Sequence, residues 1–385
     1  MQPVGKSLHT CVNDDVSRQS YALQQQPYPL NIVSVMPPSP DHIVTSDAPD
    51  RQVWIDYARG IGVILVVFGH VLGGLFSAHL FPDETLTRWM SYTLYTFHMP
   101  LFFFLAGLNV QHSLRHGTRS FLASKAWTIA YPYVLWSLIQ GGVIMVMARD
   151  ANVPILPSDL AAIWYRPIGQ FWFLYALMIC HIVAALVRRR ALMIGLALLS
   201  FAIFCALPAR PDLALTLHHF AFYVAGLYGA RLVTAWQPQR GAGWLLLMAA
   251  LAGFAAAVAA TARLSGWDAN SLLALPACIF GIAAVVLLCK LMDAPRHRWL
   301  AAVGLMSMTI YILHILAGSG TRILMLKLNV PHWPWLYLLA GTAAGVILPM
   351  IAHVVLQRLN LLTPLGLAPL ARRKTASVPS TAVTR

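Results

Sequence analysis

The sequence predicts an all-α polytopic membrane protein, a bundle of about ten transmembrane helices, and three observations carry that expectation. The 385 residues are 58% hydrophobic and only 10% charged, whereas a soluble domain carries about 25% charged residues. Mean hydropathy is +0.66. Apolar stretches near the ~20 residues that a helix needs to cross the hydrocarbon core recur along most of the chain. In a chain of this class the net charge of +14 points to basic cytoplasmic loops and anionic lipid, not to nucleic acid.

Residues 1–50 are rich in Gln, Pro, Ser and Asp without apolar periodicity or a signal-peptide core, and read as a disordered cytoplasmic tail in which Met36 is a candidate alternative start. The transmembrane domain is expected over 51–358, with spans near 53–76, 90–112, 121–147, 170–187, 191–208, 215–233, 244–261, 271–291, 299–317 and 335–357. Residues 359–385 read as a cytoplasmic carboxyl tail. A Pro-broken stretch from Val153 to Ile168, with Trp164 and Tyr165, suits a re-entrant or interfacial segment. Basic residues such as Arg115, Arg188–Arg190, Arg296 and Arg298 outnumber Arg88, Arg149, Arg166, Arg210, Arg263, Arg322 and Lys327 on the alternate side. The positive-inside rule then places both termini in the cytoplasm. Of the five cysteines, Cys180, Cys205, Cys278 and Cys289 lie in apolar spans and read as small buried hydrophobes; Cys11 does not.

The first span carries the most chemistry. Within RQVWIDYARGIGVILVVFGHVLGGL it places Asp56, Arg59 and His70, ionisable groups that cost at least a few kcal/mol inside lipid. Arg59 and His70 are eleven residues apart, about three helical turns with only some 20° left over, so they share a face roughly 16 Å apart along the axis. The sidedness puts Arg59 near the cytoplasmic surface and His70 toward the outer half. Such a helix can hold an anion at its entrance and a proton-transfer group deep in the bundle.

In the second span, YTFHMPLFFFLAGL, Pro100 lacks a backbone donor and should kink the helix beside His98. His98 is either a site residue at that kink or a histidine bonded to a neighbouring helix, with Phe102, Phe103 and Phe104 facing lipid. The third span opens with Lys125, which suits a phosphate-bearing ligand or equally snorkels to lipid phosphates. Trp172, in QFWFLYAL, is a site candidate or an interfacial aromatic. GLMSMTIYILHIL sets Ser307, Tyr311 and His314 at helical spacings. His181, His218, His219 and His353 read as structural. P-loop, HExxH, GxSxG and zinc-type Cys/His patterns are missing from the sequence, which argues against nucleotide hydrolysis and metalloprotease chemistry. What remains is acid–base chemistry by histidine, whose ordinary pKa of about 6.5 suits it. Such a histidine deprotonates a hydroxyl that attacks a thioester, or accepts the acyl group itself.

The segments WIDYARGIGVILVVFGH, FHMPLFFFLAG, YPYVLW, FWFLYAL and SMTIYILH together resemble the acyltransferase-3 superfamily of integral-membrane acyltransferases, especially its fucose 4-O-acetylase-like and exopolysaccharide O-acetyltransferase branch. Arg59 and His70 match the family's Arg-x10-His spacing. The chain departs from many relatives at the third span, where they carry an arginine pair and this sequence has only Lys125. The resemblance is to a stand-alone membrane module without a hydrolase-like domain.

The resemblance implies an inner-membrane O-acetyltransferase that transfers groups other than amino-acyl groups. His70 would be catalytic and Arg59 would bind or orient the donor, with Asp56, His98, Lys125, Trp172, Tyr311 and His314 as further substrate-binding candidates. Acetyl-CoA is then a donor substrate arriving from the cytoplasm, with no bound cofactor or metal, and the acceptor is a lipid-linked or polymeric carbohydrate. A transporter or flippase for a lipid-linked glycan fits the buried ionisable groups equally well on physics alone. A non-catalytic partner in polysaccharide assembly would need no fixed Arg59–His70 register.

Overall fold

The computed structural model describes residues 52–147, 155–207, 214–292 and 296–369. The amino-terminal tail with Cys11 and Met36, the residues Arg149, Val153 and Arg210, and 370–385 lie outside the described residues. Every regular element among the described residues is helical. α1 is Val53–Ser77, α2 Glu84–Tyr95, α3 His98–Leu108, α4 Thr118–Lys125, α5 Tyr131–Val146, α6 Trp172–Leu186, α7 Arg190–Ala206, α8 Leu215–Ala235, α9 Arg240–Thr261, α10 Leu275–Leu291, α11 Arg298–Leu305, α12 Ser307–Lys327 and α13 Pro334–Arg358. α2 and α3 run on through one turn to Leu114 as a single apolar unit, and α4 and α5 join through a π-helical turn, Ala126–Ala130. Eight such units are long and apolar enough to cross a bilayer. The expected fifth and sixth spans are α7, which is shorter, and α8, whose sequence carries two histidines and an arginine. Among the described residues the fold is therefore a polytopic all-α bundle with eight candidate crossings and two further helices at the remaining expected places.

The Pro100 kink is present as a break. Residues Thr96 and Phe97 separate α2 from α3, and Phe97 leaves helical geometry at φ −128°. Proline clashes with the carbonyl four residues back and cannot donate to it, so the helix stops there and restarts with Pro100 in its first turn. The interruption in the third unit also precedes a proline, Pro132. The expected 299–317 span is misplaced. Met306 divides that stretch, and the crossing helix is α12, so Arg322 and Lys327 lie inside a helix and not in an outer loop. Arg322 is buried and donates from Nη1 to the Gly74 carbonyl at 3.1 Å.

α1 is the axis of the bundle and touches α2, α3, α10, α11, α12 and α13. α11 crosses its amino-terminal half so closely that a Cβ at Gly304 would stand 1.9 Å from the Asp56 carbonyl oxygen. α3 and α8 pack through Gly107 and Gly226, where a Cβ on Gly226 would lie 2.0 Å from the Phe104 carbonyl oxygen. Small residues let helix backbones approach where lipid gives no hydrophobic drive. Phe103 is fully buried in this contact and does not face lipid. Cys180, Cys278 and Cys289 are buried and Cys205 half-buried. Trp164 and Tyr165 are 67% and 68% exposed on a turn after a short helix, Pro157–Ala161. Part of the stretch read as a carboxyl tail is packed. Tyr131 and Trp136 donate to the Pro364 and Leu365 carbonyls at 2.6 and 2.9 Å, and Leu362 and Leu367 are buried.

The α3–α8 contact yields a test of the packing. Gly226→Ala should lower the thermal midpoint in detergent by the equivalent of about 1–3 kcal/mol, the usual cost of overpacking. Gly229→Ala, on the same helix with nothing within 4 Å of its Cβ position, should leave it unchanged or raise it. Equal midpoints for both variants would contradict the close crossing.

Candidate active site

Arg59, Val63, Val66 and His70 recur on α1 at intervals of four, three and four, which makes one stripe of a helix. That stripe is the wall of two adjoining cavities. The first, about 160 Å³, is lined by Arg59, Val63, Val66, Met99, Phe102, Phe173, Ser307 and Tyr311 among others. The second, about 130 Å³, is lined by Val66, His70, Tyr95, His98, Met99, Gln170, Trp172, His219, Asn270 and Tyr311. Val66, Met99 and Tyr311 belong to both. The shared face expected from spacing thus lines both cavities.

At the Arg59 end, its Nη1 lies 3.7 Å from Asp56 Oδ1, with the arginine side chain 36% exposed and the carboxylate buried. Asp56 is covered by α11, where Gly304 approaches its backbone. Lys125 stands 5.6 Å from the Phe121 ring centroid and within electrostatic range of Arg59. Ser307 lines the same cavity.

At the other end, three histidines are oriented alike. His98 Nδ1 donates to the Leu94 carbonyl at 2.6 Å, His219 Nδ1 to Leu215 at 2.7 Å, and His314 Nδ1 to Tyr311 at 2.6 Å. A carbonyl only accepts, so each Nδ1 carries the proton and each Nε2 is left as an acceptor. The Nε2 atoms of His219 and His314 are buried without a hydrogen-bond partner among the described residues. The His314 ring lies 5.1 Å from that of His70, and Tyr95 lies 4.9 Å from His98. The chamber therefore offers acceptors to a ligand that brings hydroxyl or amide donors. Trp172, Phe103 and His219 form a three-ring cluster, with the Trp172 centroid 6.3 and 5.3 Å from the other two. Tyr311 commits its hydroxyl to the Gln170 carbonyl and gives the cavities only its ring. Gln170 is itself held by a reciprocal amide pair with Gln140, at 2.8 and 3.1 Å, buried between the third and fourth units.

His70 also opens outward. It lines an apolar groove of about 380 Å³ with Gly69, Gly73, Val143, Ile144, Leu316 and Arg322. Beyond it lies a vestibule of about 610 Å³ that includes Ser77, Glu84, Arg88, Tyr95, Trp267 and Asn270. Tyr95 and Asn270 border both the vestibule and the His70 chamber.

The structure brings His70, His98, Trp172 and Tyr311 to one chamber, sets His314 against His70, and sets Asp56 and Lys125 within electrostatic range of Arg59. His98 bonds back across the break to Leu94, in the last turn of α2. His219, read from sequence as structural, lines the chamber; a polar residue inside an apolar span was the available signal. Gln170, Asn270 and Tyr95 were missed. His181 bonds the Tyr223 hydroxyl at 2.8 Å, His353 bonds Thr309 at 2.7 Å, and His218 packs among Phe201, Phe204 and Phe222. Among the described residues no group of three His, Cys, Asp or Glu is placed to hold a metal ion.

Comparison with known proteins follows the same stretch of chain. The family described as "Acyltransferase domain" matches residues 52–354. Nodulation protein NolL of Mesorhizobium japonicum is 28% identical over 139 residues, covering 34% of this chain and 35% of that protein. NolL of Sinorhizobium fredii is 26% identical over 150 residues, covering 38% and 39%. The chain thus spans little more than a third of the length of these relatives. No solved structure gives a significant match.

The glutamine pair predicts a sign change in stability. Gln140→Leu or Gln170→Leu alone leaves a buried amide unpaired, at a cost of about 1–3 kcal/mol. The double substitution should recover much of the loss, read as thermal midpoints in detergent. Additive losses would show that the pair is not a closed unit.

Proposed function

The chain belongs to the acyltransferase-3 family and is a multi-pass membrane acyltransferase, and from that premise we propose that it carries an acetyl group from acetyl-CoA to a sugar hydroxyl of a cell-surface or exported polysaccharide. One observation carries the reading: a single imidazole, His70, is reached from two sides. Val66, Met99 and Tyr311 line both its chamber and the Arg59 cavity, and Tyr95 and Asn270 line both its chamber and the vestibule.

Phosphorylated coenzyme A cannot cross lipid, so its phosphates stay with Arg59 and Lys125 at the cytoplasmic end. Only the slim thioester arm follows the α1 stripe inward. A sugar hydroxyl arrives from the vestibule. Its oxygen attacks the thioester carbonyl carbon while its proton passes to the His70 imidazole. The new C–O bond forms, the C–S bond breaks, and the imidazolium returns the proton to the departing thiolate. Because donor and acceptor meet at one residue, direct transfer with His70 as general base needs no acyl-histidine shuttle. The acceptor-only Nε2 atoms of His98, His219 and His314 suit the hydroxyl and amide donors of the two substrates. Asp56 holds Arg59 in place. The protein then sits in a bacterial inner membrane with both termini in the cytoplasm.

The flippase reading requires a whole glycan to pass. Ligand pockets usually enclose about 300–1,000 Å³, and the two inner cavities, at about 160 and 130 Å³, fit a thioester arm better than a sugar.

A positioned base contributes about 10²–10⁴-fold to rate. His70→Ala should lower ester-linked acetyl on the polysaccharide by that order while the polymer is still made and exported. His70→Gln should fail equally, because glutamine exchanges no proton near neutral pH. Arg59→Ala should raise the KM for acetyl-CoA at near-normal protein levels. Acetyl content and total surface glycan measured in one strain separate the readings. Normal acetylation without His70 would sink the catalytic role, and missing glycan with unchanged acetyl per sugar would support a transporter.

A further inference from the structure

The vestibule outside the His70 chamber is built differently from the cavities within. At about 610 Å³ it is the larger space, and hydroxyl-bearing and charged side chains replace the apolar lining. One wall is a face of α2, where Glu84, Thr87, Arg88, Ser91, Tyr92 and Tyr95 recur at helical intervals. The facing wall is the turn after α9, which carries Trp267, Asp268 and Asn270.

That turn holds a tryptophan in a conformation that L residues rarely adopt. Gly266 and Trp267 both have positive φ, 63° and 67°. Such a φ is common for glycine and an outlier for a bulky residue. The Trp267 N–H bonds the Ala262 carbonyl at 2.8 Å, and the ring meets Trp89 and Tyr92 edge-on, with centroids 4.9 and 6.2 Å apart. The next turn is closed by Asp268 Oδ1 accepting from the Asn270 N–H at 3.0 Å. Asn270 and Tyr95 then stand at the threshold of the His70 chamber. Strain at a non-glycine position persists where the surroundings enforce it, and it clusters at ligand sites.

We propose that Trp267 and Asn270 form the acceptor subsite of the transferase: a pyranose ring stacks its C–H face on the Trp267 indole, and the Asn270 amide holds a hydroxyl of that sugar at the threshold. The assignment rests on the acyl-transfer reading above. An aromatic face supplies apolar contact without demanding one pattern of hydroxyls, and a planar amide both donates to and accepts from them. Trp267 and Asn270 thus act on substrate without entering the bond-making step. They set which ring, and which of its hydroxyls, passes Tyr95 to His70.

The test uses the full chain in detergent, with labelled acetyl-CoA as donor and de-O-acetylated surface polysaccharide from a strain lacking the chain as acceptor. Trp267→Ala should raise the KM for polysaccharide at least tenfold while the KM for acetyl-CoA moves less than twofold. Trp267→Phe keeps a ring and should recover most of the acceptor affinity. Asn270→Ala should raise the acceptor KM independently of the ring, which covers the case in which Trp267→Ala fails to fold. Trp244, half-exposed on α9, controls for loss of a tryptophan, and Trp244→Ala should leave both constants unchanged. An unchanged acceptor KM in folded Trp267→Ala and Asn270→Ala protein would overturn the subsite. Transfer absent in the parent chain itself would overturn the acyl-transfer reading beneath it.

Discussion

Everything in this bundle follows from the cost of a polar stripe on a membrane helix. Asp56, Arg59 and His70 cannot face hydrocarbon without losing at least a few kcal/mol each, so α1 must be enclosed. The chain does this with α2, α3, α10, α11, α12 and α13. The enclosure is tight where no ligand is needed, as at Gly304 against the Asp56 backbone. It loosens along the stripe itself, where Val63 and Val66 leave room between Arg59 and His70. A helix that must be hidden from lipid thereby becomes the wall of the cavities that Arg59 and His70 line.

The second constraint is orientation. A histidine in a low-dielectric chamber is useful only if its proton inventory is fixed, and here the backbone fixes it. The carbonyls of Leu94, Leu215 and Tyr311 each take one Nδ1–H. Those carbonyls sit within one turn of the histidines they bind, so the local helix sets the tautomer and needs no distant partner. The Pro100 break lets α2 and α3 present Tyr95 and His98 side by side. Tyr311 and the Gln140–Gln170 pair then tie α12 to the third and fourth units.

How much of this was legible in the sequence depended on range. The α1 stripe was, because helical periodicity alone places residues 59 and 70 on one face. The Pro100 break was, because it is a property of one residue and its own turn. The boundary at Met306 was not. α11 and α12 are both apolar, since one packs on α1 and the other crosses the bilayer, and hydropathy cannot separate two reasons for being apolar. His219 looked like any histidine satisfied by its own helix, which its Nδ1 is; only the packing of α8 on α3 shows where Nε2 is left. The Trp267 turn lies far in sequence from α2, and no local pattern joins them. Family resemblance supplied the reaction class, while the residues proposed for the acceptor side came from tertiary packing.

The central claim is that one passage joins a cytoplasmic donor to an acceptor on the other side, with His70 between them. Inverted membrane vesicles, whose cytoplasmic face is outward, test it with de-O-acetylated glycan sealed inside and labelled acetyl-CoA added outside. The account predicts labelled ester on the enclosed glycan and unlabelled glycan in vesicles carrying His70→Ala. Label that forms only when acetyl-CoA is enclosed with the glycan would contradict it.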